Sequence, residues 1–109
     1  MMITKFKIFE NLEDIKIGDY VLMKPFKHLS GSSPNQQKTY EDFINNTIGV
    51  VDNKGRYPYD DAHIIVKYRD VPFTIAHLNY NIFYYPNIVA FDENIETLKI
   101  KIEASKYNI

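Results

Sequence analysis

Apolar and polar positions along the chain change places in short runs separated by turn residues, which predicts a β-rich fold. The first clear run is Ile15-Lys16-Ile17-Gly18-Asp19-Tyr20-Val21-Leu22-Met23-Lys24. Ile15 and Ile17 alternate with polar neighbours, and Gly18-Asp19 suits a sharp entry into a strand. Tyr20 to Met23 has strand length, and Pro25, with no N–H to give a ladder, ends it. Thr47 to Val51 predicts a second strand, in which Gly49 marks a bulge or a close approach of backbones. Asp52-Asn53-Lys54-Gly55 predicts a turn, continued by the aromatic-acidic loop Tyr57-Pro58-Tyr59-Asp60-Asp61. His63 to Tyr68, β-branched and aromatic, is the strongest strand, and Arg69-Asp70-Val71-Pro72 closes it. Asn87 to Phe91 is a last short strand and Thr4 to Phe9 a short leading one, while Phe73 to Phe83 fits a short strand or a one-turn helix. The core expected from these strands is Tyr20, Leu22, Val50, Ile64, Val66 and Ile88.

Other periods appear elsewhere. Ser30 to Gln37 reads as a flexible loop. Thr39 to Ile44 fits one helical turn, with Thr39 as its cap and Tyr40, Phe43 and Ile44 on one side. From Asp92 onward two patterns compete. Leu98, Ile100, Ile102 and Ala104 alternate as in a strand, while Phe91, Ile95, Leu98 and Ile102 form a helical stripe. Asp92 as N-cap, Glu93 and Glu96 in the first turn and Lys99, Lys101 and Lys106 behind them suit the helix macrodipole. The expectation is a C-terminal helix, with a C-terminal strand as the alternative.

Composition narrows the function classes. The 109 residues fit one domain, 1–109. The absence of Cys excludes disulfides, Cys-ligated zinc, iron–sulfur clusters and thiol nucleophiles. No run is apolar enough for a signal peptide or a membrane span, so a soluble chain in a reducing cytoplasm, with no membrane partner, is expected. A net charge of −1 and a pI near 6.3 differ from the basic balance of most nucleic-acid modules. Nine Tyr, seven Phe and no Trp suit half-buried strand faces and contact surfaces. The dominance of Lys, Ile, Asn, Tyr and Phe points to an AT-rich genome.

Ile17-Gly18-Asp19-Tyr20-Val21, Ile48-Gly49-Val50-Val51 and Ile64-Ile65-Val66-Lys67-Tyr68, in that order, resemble the strands of small SH3-like barrels. Tyr57-Pro58-Tyr59, Val66-Lys67-Tyr68, Pro72 and Lys106-Tyr107-Asn108 resemble short reading frames of AT-rich phages and large DNA viruses. The resemblance implies a mainly β fold, a small, partly open SH3-like barrel with a C-terminal helix. It brings no catalytic residue with it.

The candidate chemistry is sparse. His28, His63 and His77 have no compact metal spacing, and Asp60-Asp61-Ala62-His63 reads as an acidic turn before a strand rather than as a hard-metal or general-base site. Ser30, Ser32 and Ser33 lie near His28, yet a nucleophile needs an oriented base on rigid elements. The glycines are isolated, so no loop cradles a phosphate. Lys24, Lys27, His28 and Lys38, with Phe26 and Tyr40 as stacking rings, make a candidate nucleic-acid face. Tyr57, Tyr59, Tyr84 and Tyr85 sit beside prolines at strand ends, where rings serve interfaces or lid a core. The expected function is a non-enzymatic protein-interaction module, a phage- or virus-encoded accessory or inhibitor, without cofactor, metal or catalytic residue. A protein partner or a second copy would meet the four tyrosines. The alternative is a nucleic-acid-binding barrel using Lys24, Lys27 and Lys38, and a small enzyme ranks third.

Overall fold

The computed structural model describes residues 14–56 and 62–106. The leading-strand expectation at Thr4 to Phe9 and the Tyr57–Tyr59 loop therefore lie outside the described residues. Among the described residues five strands, β1 (Tyr20–Met23), β2 (Gly49–Arg56), β3 (Ala62–Lys67), β4 (Ile82–Tyr84) and β5 (Ile88–Asp92), form one open antiparallel sheet in the order β4-β3-β2-β1-β5. Helix α1 (Pro34–Asn46) links β1 to β2, a 3-10 turn over Tyr85–Asn87 leads into β5, and α2 (Ile95–Ser105) follows. The mainly β expectation and the C-terminal helix both match this architecture.

Entry into β1 follows the sequence closely. Gly18 has φ +98°, a region glycine enters without a Cβ penalty. The buried Asp19 carboxylate accepts from the Lys16 N–H at 2.9 Å. Gly18 N–H donates to Val51 O and Val51 N–H to Asp19 O, both at 2.8 Å, so the turn is bonded directly to β2. Ile15 is wholly buried just before it, while Ile17 is exposed.

The core lies between α1 and one sheet face. Val21, Met23, Val51, Ile64, Val66 and Phe83 meet Tyr40 and Ile44 of α1 there. Each wholly buried Ile or Val contributes about 1.5–3 kcal/mol of transfer free energy. Ile64 and Val66 are buried as expected, but Tyr20, Leu22, Val50 and Ile88 are only half-buried. On β1 and β2 the expected phase is one residue off, because alternation alone does not say which face receives a helix. Val21, Met23 and Val51 take the inner positions, while α2 lies along β5 and β1 on the side of Leu22.

Further expectations are corrected. The stretch ending at Gln37 is not all loop: α1 begins at Pro34, with Ser33 rather than Thr39 as its cap. Ser33 Oγ accepts from Gln36 N–H at 3.2 Å and Gln36 Oε1 from Ser33 N–H at 2.7 Å. This is a capping box with proline at the first helical position, so the helix is three turns long rather than one. Asp52 to Gly55 is not a turn either. β2 continues to Arg56, with a register shift between Val51 and Asn53 that absorbs one extra residue as a bulge.

Between β3 and β4 the chain turns at Asp70, whose φ of +56° lies in the left-handed region that Asp tolerates. It turns again at 73–77, pinned by the wholly buried Ile75. The cap of α2 is Asn94, whose Oδ1 accepts from Thr97 N–H at 3.0 Å, and not Asp92. Asp92 ends β5, accepts from Asn94 N–H at 2.9 Å and pairs with Lys101 at 3.0 Å. The Asn94 N–H above all, with Lys101, holds its carboxyl below the usual range. Leu98 is wholly buried and Ile100 exposed, whereas a strand would have placed the two on one face.

Candidate functional site

The site begins at the aromatic end of the sheet. On β4, Phe83 points inward and is wholly buried, so Tyr84, next along the strand, faces out and is 38% exposed. Tyr85 begins the 3-10 turn and packs half-buried against the core. Phe26 stacks on Phe83 with ring centres 5.6 Å apart and meets Tyr84 edge-on at 6.4 Å, geometries that aromatic quadrupoles favour. Tyr84 pairs with His63, next to Arg56 and Ala62, where the chain leaves β2 and enters β3. The structure thus separates the two described tyrosines: Tyr84 is a surface ring and Tyr85 a lid. Tyr57 and Tyr59 lie outside the described residues.

Phe26 is held from both sides of its peptide. Its N–H donates to the Tyr40 hydroxyl oxygen at 3.0 Å, and its carbonyl accepts from Gln37 Nε2 at 3.0 Å. Gln37 Oε1 also accepts from Leu29 N–H at 2.7 Å. The neighbouring Gln36 reaches elsewhere, donating from Nε2 to Thr74 O at 2.9 Å. One turn of α1 therefore anchors both the Phe26 loop and the 73–77 turn. On that turn Phe73 is 86% exposed, more than any other large apolar residue described. Nothing in the sequence singled it out, since the spacing that buries Ile75 and leaves Phe73 outside emerges only from the turn itself.

The basic candidates are all exposed: Lys24 follows β1, Lys27 lies in the strapped loop and Lys38 on α1. The Lys24 backbone is tied to Asn87 through its N–H at 2.8 Å and its carbonyl at 2.9 Å. Of the two rings expected beside them, Phe26 is half-buried but Tyr40 is wholly buried. Burial raises the Tyr40 hydroxyl pKa, and its ring faces the core, so it offers no stacking platform.

Two of the three candidate serines serve structure, and Ser30 is exposed. Ser33 caps α1, and Ser32 Oγ donates to Leu29 O at 2.7 Å. His63 is buried over Gly55, where an added Cβ would lie 2.7 Å from the imidazole. Among the described residues, no group of three or more His, Asp or Glu is placed to hold a metal ion, and no helix is long and apolar enough to cross a membrane. No protein-family model matches the chain, and no curated protein or solved structure matches it either.

Proposed function

We propose that the chain is a non-enzymatic protein-interaction module whose contact surface lies around Tyr84 and Phe73. One observation carries this: Phe73 stands in solvent on a turn that Gln36 of α1 bonds, and Tyr84 is partly exposed on β4 with its ring edge-on to Phe26, whose loop the next residue of α1, Gln37, holds. An exposed aromatic on a braced segment loses little conformational freedom on docking, and such rings are the usual anchors of interfaces. Tyr57 and Tyr59 belong to the same proposal. The fold reading behind it is a small SH3-like barrel. Its support is a four-strand meander whose fifth strand, entered through a 3-10 turn, returns to pair with β1. An accessory or inhibitory role, phage- or virus-encoded and cytoplasmic, accords with the resemblance of its motifs.

The test compares wild type with Tyr84→Ala and Phe73→Ala for self-association by sedimentation and for partner capture from cells that express the protein. Association or capture should fall in both variants, while the thermal midpoint stays at the wild-type value in Phe73→Ala and drops by only a few degrees in Tyr84→Ala, which loses the edge-on contact with Phe26. Undiminished association in both would overturn the proposal. The nucleic-acid reading draws on the exposed Lys24, Lys27 and Lys38 and ranks second, because one of its two rings is buried and the net charge is −1.

A further inference from the structure

Between the start of α2 and the C-terminal end of α1, a pocket of about 530 Å³ opens, with Phe43 of α1 in its lining. Its floor is a row across three strands, since Tyr20 pairs with Val50 and Val50 with Lys67. Directly paired residues stand side by side on one face. Thr47 and Ile48, on the way from α1 into β2, supply one wall, and Arg69, in the turn after β3, supplies another. Ile95, the first residue of α2, also lines the pocket, which brings the positive end of that helix dipole to the rim.

Two of the three charged side chains here are cationic. Lys67 and Arg69 face one carboxylate, Asp70, leaving one net positive charge in a chain whose overall charge is −1. Among the described residues neither Lys67 nor Arg69 has an ion pair or a side-chain hydrogen bond. Apolar floors with a few placed polar groups, in volumes of roughly 300–1,000 Å³, are the form of small-ligand sites. Walls from several elements favour a compact ligand over an extended segment.

We propose that this pocket binds a small ligand in which an apolar or aromatic body carries one anionic group. The body rests on Tyr20 and Val50, and the anion meets Lys67 and the planar fork of Arg69. The site is separate from the contact surface: Tyr84 pairs with His63 at the start of β3, about 13 Å along the strand from Lys67.

The test is a titration of the full chain, followed by amide NMR shifts, with a matched pair of probes, naphthoate and the neutral naphthamide. Naphthoate should move Ile48, Val50, Lys67 and Arg69 saturably and bind at least tenfold more tightly than naphthamide, the scale of a charge-assisted hydrogen bond. Arg69→Gln and Lys67→Gln should each weaken naphthoate severalfold and leave naphthamide unchanged, and their dispersed spectra report that both remain folded. Equal affinity for the two probes, shifts centred elsewhere, no binding of naphthoate, or an unchanged naphthoate affinity in both variants would overturn the proposal.

Discussion

Gly49 is the tightest point between β2 and β3. A Cβ built there would fall on Val66 Cγ1, 2.9 Å from Tyr68 Cε1 and 3.1 Å from the Lys67 carbonyl oxygen. Neither a branched methyl in a packed core nor a backbone carbonyl can swing aside. Gly49→Ala should therefore incur an overpacking cost of about 1–3 kcal/mol. Replacing a strand glycine returns about 0.5–1 kcal/mol of backbone entropy, so the expected net loss centres on about 1 kcal/mol and reaches about 2.5 kcal/mol. The central value lowers the thermal midpoint of a domain of this size by roughly 4 °C. Urea unfolding of Gly49→Ala, Val66→Ala and the double variant measures it. Because Val66→Ala removes the methyl that the new Cβ strikes, the double variant should lose at least about 0.5 kcal/mol less than the sum of the singles. A Gly49→Ala protein as stable as wild type, or strict additivity, would refute the contact.

Ser33→Ala should remove the capping box and cost about 1 kcal/mol in urea unfolding, with Ser33→Asp retaining most of it. The Tyr68 hydroxyl is buried without a hydrogen-bond partner, and burial, then the nearby Tyr40 and Tyr80, raise its pKa far above the ordinary 10.0. Folding thus favours the protonated form, so its contribution is whole below pH 10 and is lost as pH climbs beyond that. Tyr68→Phe should equal or exceed wild type in stability at neutral pH and lose less between pH 10 and 12 by denaturant unfolding.

Local signals in the sequence carried much of the fold. Gly18-Asp19 located the entry to β1, the β-branched run at Ile64 to Val66 located β3, and the charge order after Asp92 favoured α2. Ser33-Pro34 with Gln36 was an equally local signal for α1, masked by a composition that resembles a loop. Other features depend on pairing across strands. Whether Val21 or Tyr20 faces the core is decided by where α1 docks, and the extension of β2 through polar Asp52 to Gly55 by its ladder with β3. Tyr84 and Tyr85 look alike beside Pro86, yet strand alternation turns one outward and the 3-10 turn tucks the other in. The row of Tyr20, Val50 and Lys67 joins residues far apart in the chain, and no single segment announces it.

The most direct test of the proposed contact surface places a photocrosslinking benzoyl-phenylalanine at Tyr84, and in a separate variant at Lys38, in cells that express the protein. A discrete protein adduct, with a partner or a second copy, is expected from position 84 and none of comparable yield from position 38. Nucleic-acid adducts from position 38, with no protein adduct from position 84, would contradict it.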